Sequence, residues 1–285
     1  MARTFSLGMA AILATLGSAS AQSLVERGDY LVNNLMACGN CHTPRIAGQG
    51  ATPDLTRRLA GGTQVFNEVF FTVKGANITQ DRETGIGSWS NADIKRALVD
   101  GVHPNGTPLA MIMPSSFYKA LTPTDLDAIV AYLRTVPAVR NEVQSPVYKA
   151  APTTQDWIAE PMAAGDLSDP VKHGFYLGSL AHCMGCHART SEQTAPDFKT
   201  ALGRGGRVFK GPFGQSVAAN ITSHKEKGIG AWSDEEIRNA LTLGVSRDGR
   251  KLKPPMSDYV AYYRTWKVSE ISALIAWLRT LPPLE

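Results

Sequence analysis

The 285-residue chain contains four cysteines, and all four fall into two copies of one five-residue pattern. Cys38-Gly39-Asn40-Cys41-His42 and Cys183-Met184-Gly185-Cys186-His187 each set two thiols three residues apart, with an imidazole directly after the second. This spacing suits covalent haem attachment. The two sulfurs can form thioethers with the two vinyl groups of a porphyrin, and the next residue carries a proximal ligand to the iron. In an oxidising compartment the four thiols could instead form two disulfides, and a C-x-x-C pair alone could be a thioredoxin-like dithiol. Neither reading uses the histidine that follows both pairs. A four-cysteine zinc centre would have to unite halves from two segments that otherwise read as complete repeats.

The duplication extends well past these motifs. Asn77-Ile78-Thr79 recurs as Asn220-Ile221-Thr222, Gly85-Ile86-Gly87 as Gly228-Ile229-Gly230, and Trp89-Ser90 as Trp232-Ser233, all displaced by 143 residues. Further on, Ala131-Tyr132-Leu133-Arg134-Thr135 matches Ala276-Trp277-Leu278-Arg279-Thr280 at an offset of 145. A repeat of this length implies two domains of one design rather than the short stacked units of a solenoid. We expect an N-terminal domain over residues 22–140, a connector over 141–170 and a C-terminal domain over 171–285. Pro146, Pro152, Pro161 and Pro170 make the connector stiff, while Val147, Tyr148, Trp157, Ile158 and Met162 give it apolar anchors.

The elements that must position the motifs read as short helices. Ser23 with Glu26, Ser90 with Asp93, and Ser233 with Glu236 have the spacing of capping boxes. Thr122-Pro123 opens the last helix of the first repeat, whose apolar face is Leu126, Ile129, Val130 and Leu133. Its counterpart uses Ile271, Leu274, Ile275 and Leu278. The predicted fold class is all-α, two tandem domains each enclosing one covalent haem, and the buried porphyrin would supply the core that a loop-rich chain with 26 glycines and 17 prolines otherwise lacks.

Residues 1–21 read as a signal peptide. Met1-Ala2-Arg3 is a basic start, Ser6 to Leu16 an apolar stretch, and Ala19-Ser20-Ala21 a small-x-small cleavage site before Gln22. No later apolar run reaches the roughly 18 residues of a spanning helix, so the mature protein is expected to be soluble; a leader kept uncut as a tether is the alternative. The formal charge of +4 is spread along the chain, which argues against a nucleic-acid partner. Ionised propionates would bring the holoprotein near neutrality, below what a sequence pI of 8.9 suggests. Gly203-Arg204-Gly205-Gly206 is a weak glycine cluster, better read as a turn or a close backbone approach to haem than as a phosphate loop. The chain has no recognisable hydrolytic triad, and no catalytic residue is assigned.

With these segments in hand, the sequence resembles class I cytochrome c domains, and more closely the cytochrome subunits associated with bacterial alcohol, aldehyde and related dehydrogenases. It has two attachment motifs where the common membrane-associated form of that family has three. The resemblance implies a periplasmic electron carrier with two c-type haems, taking electrons from a dehydrogenase and passing them to a cytochrome, a quinone-linked system or a terminal oxidase. It is also compatible with a tightly bound subunit of a quinoprotein or molybdenum dehydrogenase at the inner membrane. A dihaem enzyme acting on a small redox substrate is the further alternative. The proximal ligands are then His42 and His187. Met113 and Met256 each lie seven residues after a glycine, Gly106 and Gly249, and this shared register with the resemblance selects them as distal ligands. Met111, His103 and His224 compete, and methionines at such positions also serve as apolar filler. Trp89 and Trp232 are expected against the porphyrin or its propionates, Asn77 and Asn220 in local backbone organisation, and Val65-Phe66 and Val208-Phe209 on the haem walls.

Overall fold

The computed structural model describes residues 24–151, 157–158, 160–188 and 196–285. The expected leader and the Ser23 cap lie outside them. In the first half, α1 (residues 24–35) ends in a π-wound turn, Leu31–Leu35. It is followed by α2 (Gly39–His42), α3 (Asn91–Val99), α4 (Ser115–Tyr118) and α5 (Pro123–Leu133). The second half repeats this order with α6 (Pro170–Leu180), α7 (Met184–His187), α8 (Asp234–Leu243), α9 (Met256–Tyr263) and α10 (Val268–Leu278).

The helix starts follow from local chemistry. Ser90 Oγ accepts from the Asp93 amide at 3.1 Å while the Asp93 carboxylate accepts from the Ser90 amide at 3.1 Å. Ser233 and Glu236 do the same at 3.1 and 2.7 Å. Each box satisfies amides that a helix start leaves without partners. Thr122 caps α5 through the Asp125 amide at 3.2 Å, with Pro123 in the first turn. The first and last helices of each half cross at a glycine. An added Cβ at Gly28 would lie 1.9 Å from the Ala128 carbonyl oxygen, and one at Gly174 would lie 2.0 Å from that of Ala273.

The all-α expectation needs correction. Each half inserts a β-hairpin between its attachment motif and its Asn-Ile-Thr segment. The first pairs β1 (Val65–Asn67) with β2 (Phe71–Lys74), and the connector adds β3 (Val147–Tyr148) to the far edge of β2. The second pairs β4 (Val208–Gly211) with β5 (Gly214–Val217). Val65-Phe66, Phe71-Thr72-Val73 and Val208-Phe209 are β-branched and aromatic runs interrupted by turns, which is strand chemistry. The connector is anchored further on, where Met162 donates its amide to the Ala120 carbonyl at 3.1 Å and Trp157 stacks on Phe198 at 4.8 Å.

The two halves share one apolar core, running from Leu31, Ile129 and Leu133 to Leu177, Leu274 and Ile275. Around it, tyrosines reach reciprocally across the boundary. Tyr176 of the second half donates its hydroxyl to Asp125 of the first at 2.6 Å, and Tyr30 of the first donates to Glu270 of the second. Tyr30 corresponds to Tyr176 and Asp125 to Glu270 in the repeat, so one interaction is used twice about a pseudo-two-fold axis. Asp125 and Glu270 are only 6% and 4% exposed, and Asp125 is also held by Arg27 at 2.7 and 2.8 Å. A buried carboxylate stripped of a donor carries an unrelieved desolvation cost. Tyr176→Phe should therefore destabilise the protein by about 1.5 to 3 kcal/mol, the range for hydrogen bonds to charged groups, measured as a lower denaturant midpoint. An unchanged midpoint would show that the tyrosine adds nothing to the boundary.

Candidate haem-binding sites

Cys38, Cys41, His42 and Met113, separated by up to 75 residues in sequence, line one cavity of about 1220 Å³. That exceeds the roughly 300–1000 Å³ of ordinary small-molecule pockets. Trp89 and Phe66 form part of its wall, as do Val65, Met111 and His103. Of the second set, Cys186 borders this same cavity, while Cys183 and Met256 pack against the shared core. Val208 is not on this wall, and Phe209 reaches it from the other domain. Met113 also packs against the buried core, as Met256 does.

The attachment turns are built alike. Each is entered through a residue with left-handed backbone, Ala37 at φ 50° and His182 at φ 44°. Such a conformation costs a non-glycine residue on the order of 1 kcal/mol, held here by the surrounding structure to aim the first cysteine. One helical turn then brings Cys38 to Cys41 and Cys183 to Cys186. No cysteine is in a disulfide. Burial pushes the Cys38 and Cys183 thiols up to about 12 and Cys41 up to about 11, which disfavours the thiolate that a dithiol redox site uses. Among the described residues no three His, Cys, Asp or Glu side chains converge, and the four cysteines do not form one zinc centre.

Both histidines are held in one tautomer. His42 donates Nδ1–H to the Ala76 carbonyl at 2.7 Å, and His187 donates Nδ1–H to the Ala219 carbonyl at 2.7 Å. The Nε2 lone pair is left for a metal, which is how a carbonyl behind an imidazole ligand orients the ring. Burial lowers both imidazole pKa values and keeps the rings in the neutral form that ligation needs. Sequence inspection missed Ala76 and Ala219, because any residue carries a carbonyl. Their only signal is the place just before each Asn-Ile-Thr.

The backbone behind each histidine explains the glycines. Gly61 donates its amide to the His42 carbonyl at 2.8 Å, and Gly205 donates to that of His187 at 2.7 Å. Gly205 sits at φ +77°, where a Cβ would come within 2.4 Å of the Ala218 and Ala219 carbonyl oxygens. The Gly203–Gly206 cluster is thus a close-packed turn backing His187. Asn77 and Asn220 organise the next turn: their Oδ1 atoms accept from the Thr79 and Thr222 amides at 3.0 and 2.9 Å. Their Nδ2 groups tie down the domain ends, at Val139 O (2.8 Å) and Leu284 O (2.6 Å). Arg134 and Arg279 each grip the carbonyl of the repeated tryptophan, Trp89 or Trp232, at 2.5 Å. These arginines stood in the repeat, but nothing in the sequence linked them to the tryptophan turns.

The donor set, the neutral imidazoles and the apolar cavity fit a covalently held porphyrin. A sequence model of the family described as Cytochrome c matches residues 25–137 and 172–282. A nicotinate dehydrogenase subunit of Pseudomonas putida is 29% identical over 93% of this chain and 22% of its own length. The fructose dehydrogenase cytochrome subunit of Gluconobacter japonicus is 27% identical over 90% of this chain and 52% of its own length. A diheme cytochrome c-type protein of Cereibacter sphaeroides is 27% identical over 87% of this chain and 83% of its own. The chain thus spans about half or less of the two dehydrogenase relatives, but most of the diheme one. With the family matched once in each half, this chain belongs to the cytochrome c family and carries two covalently bound c-type haems.

Proposed function

We propose that the protein is an exported dihaem electron carrier that takes electrons singly from a dehydrogenase and passes them to a downstream cytochrome, quinone-linked system or oxidase. The observation that carries this reading is the repetition of the His42–Ala76 and His187–Ala219 hydrogen bonds at 2.7 Å, which gives both halves the same pre-oriented proximal ligand. Bound haem supplies one-electron ferrous–ferric chemistry. The chain's part is to fix the imidazoles, to bring Met113 and Met256 to the opposite faces, and to keep water from the iron with Trp89, Phe66 and their surroundings. With His42 and Met113, and His187 and Met256, as the residues that would hold each haem iron, no position would be left open for a small substrate, which favours a relay over an enzyme. The relatives named as dehydrogenase subunits favour a second form of this reading, in which the chain stays bound to its electron donor.

Export to the periplasm rests on the leader over residues 1–21. No helix of the described residues is long and apolar enough to cross a membrane. Stopped-flow mixing with a periplasmic dehydrogenase and its substrate should reduce both haems, and a soluble cytochrome or oxidase should reoxidise them. Turnover of a small substrate by the isolated protein, without either partner, would overturn the relay. Because the holoprotein is near neutral, encounter should depend on local patches rather than long-range attraction. The reduction rate should then change by about tenfold or less between low and physiological ionic strength, against the 10 to 10³ gains that strong electrostatic steering provides. A steeper fall would reveal segregated surface charge.

A further inference from the structure

The tip of the first hairpin reaches the base of the second. Glu68, in the turn between β1 and β2, accepts from the Arg207 guanidinium at 2.7 Å, and Arg207 stands one residue before β4. Both ends are fixed by backbone. The Glu68 amide donates to the Phe71 carbonyl at 2.9 Å and its carbonyl accepts from Lys149 Nζ at 2.9 Å, while the Arg207 carbonyl accepts from the Ala218 amide at 2.8 Å. The guanidinium also lies over the Phe209 ring, 4.8 Å from its centroid. Glu68 and Arg207 line the cavity that Cys38, Cys41, His42 and Cys186 border. With side chains only 24% and 12% exposed, they are largely shielded from water and salt. Arg140 and Glu83 form a second ion pair on the same wall, but at 70% and 67% exposure it is screened by solvent. The Glu68–Arg207 pair is also used once. The hairpins align at the 143-residue displacement, and the corresponding positions hold Gly211 and Gln64, neither charged.

Resting on the one-electron reading above, we infer that Glu68 and Arg207 tune the redox equilibrium of the haem cavity as a charge pair shared between the halves, Arg207 favouring the ferrous state and Glu68 offsetting it. A ferric centre carries one more positive charge than a ferrous one. A cation on the cavity wall therefore disfavours oxidation and an anion favours it, and both effects grow where water is excluded. Side by side, the two charges largely cancel. Removing one uncovers the other. Both halves offer a histidine and a methionine, so a pair without a counterpart in the repeat makes the two sites electrostatically unequal. The step that is tuned moves one electron; no bond forms or breaks and no proton is required.

Spectroelectrochemical titration of the mature holoprotein, with neither donor nor acceptor protein present, tests this. Arg207→Gln should raise the ferric-to-ferrous ratio of at least one haem at fixed potential by about threefold to tenfold, a tenfold change being about 59 mV for one electron. Glu68→Gln should lower the ratio by a similar factor. The double variant removes both charges and Arg207→Lys keeps both; each should lie within about twofold of wild type, as should Glu83→Gln at the exposed pair. Opposite signs separate charge from structure, because a loosened hairpin contact would move both single variants the same way. If Arg207→Gln does not fold, Glu68→Gln decides, since added water at the cavity would raise its ratio rather than lower it. Shifts of one sign, shifts that persist in the double variant, or single variants within about twofold of wild type would overturn the inference. So would loss of a haem from either single variant, since the pair would then be holding the cofactor rather than tuning it. Turnover of a small substrate by the wild-type protein would instead refute the relay reading, and these ratios would still be measurable.

Discussion

Met113→Ala and Met256→Ala should each abolish half of the methionine–iron absorption and let one haem, but not both, bind an external ligand such as imidazole or carbon monoxide. Met111→Ala should leave the axial spectra intact. All three competitors for the first iron, Met111, Met113 and His103, border the same cavity, so proximity alone does not choose. Met113 is distinguished by its packing against the buried core, shared with Met256, and by an amide donated to the Ala110 carbonyl at 2.9 Å that fixes its backbone. It also keeps the register from Gly106 that Met256 keeps from Gly249. His103 stands edge-on to Trp89 with ring centroids 6.1 Å apart, and its position in the second repeat is a serine, Ser246. Redox titration of each variant alongside its spectrum supplies the measurement. Loss of a methionine signature in Met111→Ala, with both retained in Met113→Ala, would reverse the assignment, and a native bis-histidine spectrum would move it to His103.

The glycines at the helix crossings should give the largest losses of stability. Gly28→Ala and Gly174→Ala drive a methyl group to 1.9 and 2.0 Å from the backbone oxygens of Ala128 and Ala273, and backbone cannot rotate aside as a flexible side chain can. Overpacking of this kind costs typically 1–3 kcal/mol and occasionally more. With backbone on both sides of the clash, about 3 kcal/mol is expected for each. Gly165→Ala, where an added Cβ meets nothing within 4 Å, is the control and should leave the denaturation midpoint unmoved. The repeat offers a sharper version. Gly178 is needed because its Cβ would lie 2.2 Å from the Trp277 ring, whereas the first domain has Val32 and Tyr132 at the equivalent places. Gly178→Val should be strongly destabilising alone and partly rescued by Trp277→Tyr, which imports the first domain's pair. Equal stability of Gly28→Ala and wild type would mean that α1 and α5 do not cross as closely as described.

What the sequence made legible was whatever side chains and repetition encode. Two thiols and an imidazole at fixed spacing need no tertiary context to be recognised, and the capping boxes at Ser90 and Ser233 are local chemistry that the fold left in place. The apolar faces of α5 and α10 were readable for the same reason, since Ile129, Leu133, Leu274 and Leu278 follow helical periodicity. The hairpins were harder. Their strands are three or four residues long, too short for alternation to show, and Val65 and Phe66 stand out in the sequence only as wall residues. The carbonyls of Ala76 and Ala219 carry no side-chain signature, although they set the tautomer of His42 and His187. Nor could spacing indicate that Tyr176 and Tyr30 reach across the domain boundary to Asp125 and Glu270. Those contacts depend on how two folded halves meet, and that information is spread over 240 residues between Tyr30 and Glu270.

One chain carries two covalently bound haems, and each is expected to be fixed through its own pair of cysteines, Cys38 with Cys41 and Cys183 with Cys186. Mass analysis of the mature holoprotein under denaturing conditions tests this most directly, because non-covalent cofactors are lost and thioether-bound haem is retained. The expected result is the polypeptide mass plus two haems, falling to one when Cys38 and Cys41 are replaced by alanine and to the other alone when Cys183 and Cys186 are replaced. A fully matured wild-type protein carrying one covalent haem, or none, would contradict it.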